Sequence, residues 1–140
     1  MRRRVHPVCD IREVPASEMS ASSGSVFGVI SNPSNVFTSN ADEIWHSFRF
    51  APVSIRINLG QTRRLRSVCL LPNMYPASAI VRHSLTLWDS DSYTTHVYHG
   101  PASDSQWICI ELNNNANIIE ITTTHSPSWV SWRQIQVFES

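Results

Sequence analysis

The stretch Ser54-Ile55-Arg56-Ile57-Asn58-Leu59 decides the fold class, because apolar and polar side chains alternate through it without a break. The three aliphatic residues fall on one face of an extended chain, and the three polar residues fall on the other. A period of two residues is typical of a β-strand that is buried on one side. We therefore predict a strand here, with its aliphatic face in the core.

Further short stretches of strand-like sequence follow after this one. They are Leu65–Pro72, His83–Trp88, Thr94–His99, Trp107–Leu112, Ile118–Thr124 and Trp132–Phe138. Polar runs at 59–64 and 113–117 predict turns, and Pro33–Val36 predicts one helical turn capped by Ser31 or Asn32. Seven or eight short strands, with no sustained helical period, predict a sandwich or jelly roll that forms one unit over residues 1–140.

The charges of the chain balance. Eleven basic residues, all of them arginine, stand against eleven acidic ones. This balance predicts no general attraction to nucleic acid or to an anionic membrane. No apolar run approaches the ~20 residues of a membrane-spanning helix. Two small basic clusters, Arg2–Arg4 and Arg63–Arg66, are interpreted as solvated, with docking onto an acidic protein surface as the alternative.

The three cysteines are Cys9, Cys69 and Cys109. An odd number argues against a disulfide framework, and the latter two lie in apolar runs where free cysteine behaves as a small hydrophobic residue. Unpaired cysteines indicate a reducing compartment. The basic residues at the start of the chain are followed by no apolar segment of the kind found in secretory signals. We therefore expect an intracellular, cytoplasmic location.

Three segments, in order, resemble one known family. The segment IWHS at 44–47 is similar to the motif Y-W-H-S of discoidin domains, which are also called coagulation-factor C-type domains. The segment IRINLG at 55–60 is similar to the family's motif I-x-I-D-L-G. The segment SWVSWRQIQVF at 128–138 is similar to its motif W-V-S-x-R-E-I-x-V-F. The resemblance covers residues 20–140, after an N-terminal arm and first strand at 1–20. It implies an eight-stranded antiparallel jelly-roll β-sandwich of the galactose-binding-like kind, with ligands at the loops of one end. The expected core comprises Trp45, Ile55, Ile57, Leu59, Val68, Leu70, Ile135 and Val137.

The resemblance also indicates where a ligand would bind. Sugar-binding members hold galactose with a His after the conserved Trp, an Arg after Leu-Pro, and an Asn further on. His46 matches the first position, whereas Asn73 stands in place of the Arg, so the charge-assisted bidentate contact is lost. Tyr75 is the preferred exposed aromatic residue. For Trp132, core packing and a role in ligand contact are both open.

A structural calcium ion is a further expectation from the resemblance. The family's cation loop commonly carries D-G-N-x-x-x-x-W, and this chain has Thr38 at the position of the Asp. Asn40 and Asp42 could offer oxygen ligands to calcium. The alternative interpretation is a solvated acidic turn that needs no ion, and no other cofactor is expected.

Catalysis is not expected, because the sequence has no nucleophile elbow, zinc-protease motif, phosphate-binding loop or C-x-x-C pair. The broken sugar motif, the unpaired cysteines and the missing signal favour a non-enzymatic docking module. It would recognise a protein partner within a larger assembly, for which ciliary, cytoskeletal and ubiquitin-ligase complexes are the precedents. The alternative is a lectin for galactose-like sugars, using His46, Asn73 and Tyr75.

Overall fold

The structure is a computed structural model that describes residues 10–24 and 32–140. Within these ranges the chain forms eight strands and two 3₁₀ turns. The strands are β1 Arg12–Glu13, β2 Ser20–Ser22, β3 Trp45–His46, β4 Val53–Pro72, β5 Ser78–Asp89, β6 Ser92–Ser103, β7 Ile108–His125 and β8 Ser131–Glu139. The 3₁₀ turns are Ala16–Glu18 and Pro33–Phe37. The prediction of an all-β chain with eight antiparallel strands is confirmed.

The predicted helical turn is confirmed in the second of these 3₁₀ segments. Pro33 occupies the first position, where a missing backbone N–H costs nothing. The side chain of Asn32 caps the turn by accepting a hydrogen bond of 2.9 Å from the backbone N–H of Ser34. The other predicted cap, Ser31, lies outside the described residues, as does the first part (1–9) of the predicted N-terminal arm.

Two long strands organise the sheet, whose order is β1-β8-β4-β7-β5-β6, with β2 paired to β4 and β3 paired to β8. The first half of β4 pairs with the second half of β7, and the second half of β4 pairs with the first half of β7 and with β8. Both strands therefore pass from one layer of the sandwich to the other. The bends in their middles lie together at one end of the molecule, and their termini lie at the opposite end.

The turns predicted at 59–64 and 113–117 are wrong, because both segments continue as strand. Cross-strand pairing outweighs the turn-forming composition there, and the chain changes direction by a register shift between Asn58 and Arg63. Gly60 makes this bend possible. Its φ is +79°, which other residues rarely adopt, and a Cβ there would lie 3.0 Å from the Glu18 carbonyl oxygen.

The core lies between the two layers and contains every residue predicted for it. Trp45, Ile55, Ile57, Leu59, Val68, Leu70, Ile135 and Val137 are each at most 2% exposed. Trp45 and Trp132 lie opposite each other on β3 and β8. Burying an aliphatic or aromatic side chain contributes about 1.5–3 kcal/mol, so these positions account for much of the driving force for folding.

An ion-pair network closes the end that carries the bends. Arg63 is only 5% exposed. It donates to Glu139 Oε2 at 3.0 Å, to Glu18 Oε1 at 2.9 Å and to the Leu59 carbonyl at 2.9 Å. The prediction of a solvated basic cluster is therefore wrong for Arg63, because acidic residues from both ends of the described chain surround it. Arg2–Arg4 lie outside the described residues.

Cys69 and Cys109 form a disulfide bond. They are direct cross-strand neighbours on β4 and β7, forty residues apart in sequence. The prediction that both are free is wrong, because the pairing register of two distant strands brings them together. Cys9 lies outside the described residues. Because Cys69 and Cys109 are paired, the argument for a reducing compartment from unpaired cysteines is lost. The cytoplasmic location stays a prediction.

Candidate functional site

Four loops meet at the end opposite the ion-pair network: residues 47–52, 73–77, 104–107 and 126–130. Backbone hydrogen bonds join them or tie them to a neighbouring strand. Ser47 N–H donates to the Val130 carbonyl at 3.0 Å, and Val130 N–H donates to the Arg49 carbonyl at 2.9 Å. Asp104 N–H donates to the Ala77 carbonyl at 2.7 Å. Backbone hydrogen bonds therefore hold these loops in place.

Three of these loops, 47–52, 73–77 and 126–130, line a cleft of about 320 Å³ together with the end of β3. It is lined by His46, Phe50, Asn73, Met74, Tyr75, Pro127, Ser128 and Trp129. None of these side chains is an acid, an arginine or a lysine, and four of them are aromatic rings. The cleft thus offers hydrogen-bonding groups beside flat apolar surfaces, which suits a small polar ring molecule.

His46 stands at the end of β3, where it is held in one orientation. Its Nδ1 accepts a hydrogen bond of 2.9 Å from the backbone N–H of Phe48, so the proton of the neutral ring resides on Nε2. The ring stacks on Phe48 at a centroid distance of 4.3 Å. Burial lowers the pKa of His46 below its usual value, so the ring is neutral at pH 7.

An aromatic cluster forms one side of the cleft. Trp129 is 42% exposed, and its ring meets His46 edge-on at 5.4 Å and Phe50 at 5.8 Å. Phe50 is 59% exposed. Tyr75, from another loop, is almost fully exposed at 91%. Large exposed rings gathered at one site from separate loops are typical of binding surfaces rather than of a core.

Asn73 supplies a fixed polar side chain. Its backbone N–H donates to the Ser131 carbonyl at 3.1 Å, and its side-chain amide donates to Ser131 Oγ at 3.0 Å. The Ser131 hydroxyl donates in turn to the carbonyl of buried Trp45 at 2.8 Å. A chain of hydrogen bonds therefore ties the Asn73 side chain to the core, which reduces the entropy lost when a ligand binds.

Asp104 holds the loop that carries Met74 and Tyr75. Its Oδ1 accepts a 2.9 Å hydrogen bond from the Met74 N–H and pairs with the Arg133 guanidinium at 3.2 Å. Burial raises the pKa of Asp104, but the hydrogen bonds from Met74 and Arg133 outweigh it and lower that pKa overall. The carboxylate therefore stays ionised and continues to hold the loop at neutral pH.

The predicted ligand-binding residues divide into two groups. His46, Asn73 and Tyr75 line the same cleft. Trp132 does not, because it is 2% exposed and packs against His83 inside the sandwich. Of the two roles left open for Trp132, core packing is the one that the structure shows.

Sequence reasoning missed Trp129 and Phe50 as cleft residues. Trp129 precedes the start of β8 and stays in the loop. Phe50 follows Phe48 at a spacing of two, and the pair sits beside Pro52 in a segment without strand character. Two aromatic residues in a segment between strands are the signal that could have identified them.

The loop predicted to bind calcium is closed by the protein's own donors. The Thr38 carbonyl accepts from Gln134 Nε2 at 2.9 Å, and the Ala41 carbonyl accepts from Arg133 Nη1 at 3.4 Å. Asn40 Oδ1 accepts from the Asp42 N–H at 3.0 Å. The described residues contain no group of three or more His, Cys, Asp or Glu side chains able to hold a metal. These hydrogen bonds engage the Thr38 and Ala41 carbonyls and the Asn40 side chain, and the calcium site stays a prediction.

The comparisons with known proteins come from solved structures alone, since neither a family model nor a curated protein matches the sequence. The family 32 carbohydrate-binding module of C. perfringens NanJ, in complex with galactose, is similar with a TM-score of 0.79 and 22% identity over 92% of this chain and 99% of that one. A Clostridium perfringens module in complex with GalNAc-β-1,3-galactose has a TM-score of 0.77 and 15% identity, covering 90% and 99% of the two chains.

A third similar structure is a chitosan-binding module from Paenibacillus sp. IK-5 in complex with chitotriose. Its TM-score is 0.68 and its identity is 22%, over 86% of this chain and 95% of that one. Together these structures confirm the galactose-binding-like sandwich implied by the resemblance, whereas membership of the discoidin family itself stays a prediction.

None of the helical segments among the described residues is long and apolar enough to cross a membrane.

The main functional prediction, docking onto a protein partner in a larger assembly, is wrong on this finding. It depended on unpaired cysteines and on the loss of the sugar motif. The cysteines are paired, the similar structures are carbohydrate-binding modules, and three predicted residues line one cleft. The alternative prediction is better supported.

Proposed function

We propose that this chain is a non-catalytic carbohydrate-binding module whose ligand enters the cleft between His46, Asn73 and Trp129. The observation that carries the proposal is the presence of two fixed polar side chains beside exposed aromatic rings in one cleft. The similarity to modules solved with galactose and with GalNAc-β-1,3-galactose supports it.

The chemistry of the cleft matches that of a pyranose ring. Such a ring presents hydroxyl groups around its rim and C–H groups on its faces, so it needs both hydrogen bonds and a flat apolar surface. In our proposal a C–H face lies on Trp129, and Tyr75 covers the ring from the opposite loop. His46 and the Asn73 amide contact the hydroxyl groups.

The replacement of an arginine by Asn73 sets an expectation for affinity. A neutral amide forms weaker hydrogen bonds to hydroxyls than a guanidinium does, and charge-assisted bonds are roughly twice as strong. Binding of a single sugar residue should therefore be weak. Its affinity should change little with salt, because no ion pair forms on binding.

The proposal is tested by titrating the folded protein with galactose, N-acetylgalactosamine, glucose and N-acetylglucosamine, followed by nuclear magnetic resonance, and by probing a glycan array. We expect saturable shifts of the Trp129 indole resonance with at least one sugar. Trp129→Ala should weaken that binding at least tenfold. Tyr93→Ala, which removes a ring that is 63% exposed at the start of β6, away from the cleft, is the matched control. A folded protein that binds none of these sugars or arrayed glycans would refute the proposal.

A further inference from the structure

A second hollow, larger and more open than the cleft, lies on the other side of the 73–77 loop. Its volume is about 730 Å³. The side chains that matter here are Ser78, Ser103, Asp104, Gln106 and Trp107. Trp107 is 43% exposed, nearly the same fraction as Trp129 in the cleft. Hydroxyl, carboxylate and carboxamide groups thus surround one exposed indole ring.

The 73–77 loop contributes residues to both hollows. Met74 and Tyr75 line the cleft, whereas Ala77 and Ser78 line the second hollow. Asp104 joins the two sides, since it receives the Met74 N–H at 2.9 Å and donates its own N–H to the Ala77 carbonyl at 2.7 Å. The 73–77 loop, held by Asp104, therefore separates the cleft from the second hollow.

The surface around Trp107 is held in place by neighbouring strands. Ser105 N–H donates to the Pro72 carbonyl at 3.0 Å, and Gln106 N–H donates to the Ser103 carbonyl at 3.2 Å. Ile108 pairs with Leu70 on β4, and the next residue forms the disulfide with Cys69. Single exposed apolar side chains are common on protein surfaces. The Trp107 indole, in contrast, lies on a fixed backbone among polar groups. It would therefore lose little conformational entropy if a sugar ring stacked on it.

We propose that this hollow is a second subsite for the same ligand, so that the module binds an oligosaccharide and Trp107 stacks on a distal sugar residue. The inference rests on the proposed function of the cleft. Its occupant is a further residue of the glycan, because the 73–77 loop lines both this hollow and the cleft for which we propose a sugar ligand. Gln106 and Ser78 would contact the hydroxyl groups of that residue.

The test measures affinity against glycan length, with the monosaccharide that binds best and its di-, tri- and tetrasaccharides as ligands. We expect affinity to rise with length by fivefold to tenfold, the range for one added aromatic contact. Trp107→Ala should abolish this rise and leave monosaccharide binding unchanged, while Tyr93→Ala should leave both unchanged. The Trp107 indole resonance should shift with oligosaccharides and not with the monosaccharide.

Each other outcome has a distinct meaning. If the rise with length persists in Trp107→Ala, the second subsite is refuted and the cleft proposal stands. If no sugar of any length binds, both proposals fall. Should Trp107→Ala fail to fold, Ser78→Arg blocks the same hollow from an exposed position at the start of β5. An unchanged gain with length in that variant would equally overturn the inference.

Discussion

The side-chain amide of Asn73 donates a hydrogen bond to Ser131 Oγ at 3.0 Å, so a residue of the cleft is oriented by a residue that does not line it. Ser131 is 5% exposed and also donates to the carbonyl of Trp45 at 2.8 Å. The polar side of the cleft is thereby connected to the core at the start of β8. A change at Ser131 should therefore affect binding by releasing the Asn73 side chain.

Ser131→Ala should weaken sugar binding threefold to tenfold and destabilise the fold by about 1–3 kcal/mol, because the Trp45 carbonyl loses its donor. Isothermal titration with the best-binding sugar and urea unfolding measure the two effects. Ser54→Ala is the control, since Ser54 Oγ lies 2.7 Å from Thr122 Oγ1 away from the cleft lining. It should lower stability without lowering affinity. Equal affinity losses in both variants would contradict this positioning role.

The sequence predicts the parts of this site that follow directly from strand boundaries. His46 and Asn73 each stand at the end of a strand, and alternation indicates which face of that strand is buried. Trp129 and Trp132 show where such reasoning ends. They are three residues apart in similar local sequence, and only the pairing of Trp132 with Trp45 decides which of them is buried. The same limit explains the disulfide and the bends in β4 and β7, since each depends on the register between distant strands.

Thiol counting tests the corrected assignment of the cysteines. The chain has three cysteines, and the Cys69–Cys109 disulfide uses two of them. The unreduced protein in denaturant should therefore show one reactive thiol, and Cys9→Ser should show none. Because the bond closes a loop of forty residues, Cys109→Ser should lower the free energy of unfolding by up to about 4 kcal/mol. Three reactive thiols without reductant would mean that the disulfide is absent.

His83 should make the fold sensitive to mild acid. It is 4% exposed, its Nδ1 lies 2.9 Å from Thr123 Oγ1, and burial lowers its pKa to about 4. Between the ordinary pKa of about 6.5 and this value, the unfolded chain takes up a proton that the folded chain does not. Stability is therefore complete above pH 6.5, and about 3 kcal/mol of it should be lost as the pH falls to 4.

Urea unfolding at several pH values measures this loss. His83→Asn keeps a polar atom near Thr123 and removes the titration, so its stability should fall less between pH 7 and pH 4 than that of the parent. Comparing the two proteins cancels the contribution of the carboxylates, which titrate in both. Parallel stability curves for parent and variant would exclude His83 as the origin of the acid sensitivity.

Arg63 should be among the most costly polar side chains to change. Its guanidinium is buried and donates to Glu139 and Glu18, so removing it breaks charge-assisted hydrogen bonds at a cost of about 1.5–3 kcal/mol each. Arg12 remains 2.6 Å from Glu139 Oε2 and offsets part of the loss. We expect losses in this range for Arg63→Ala and Glu139→Ala in urea unfolding. The exposed pair Arg56–Glu120, at 3.5 Å, is the control, and Arg56→Ala should cost less than about 1 kcal/mol. Similar losses at Arg56 and Arg63 would contradict the argument.

Calcium should have no effect on stability, because the loop at 38–42 already has internal donors. The melting temperature should be the same in EDTA and in calcium chloride, whereas a bound ion would raise it with concentration. Gln134→Ala removes the donor to the Thr38 carbonyl and should cost about 1 kcal/mol in both buffers. Gln136→Ala, on the same strand, is the matched control and should cost less. A melting temperature several degrees higher in calcium than in EDTA would show instead that the folded protein binds the ion.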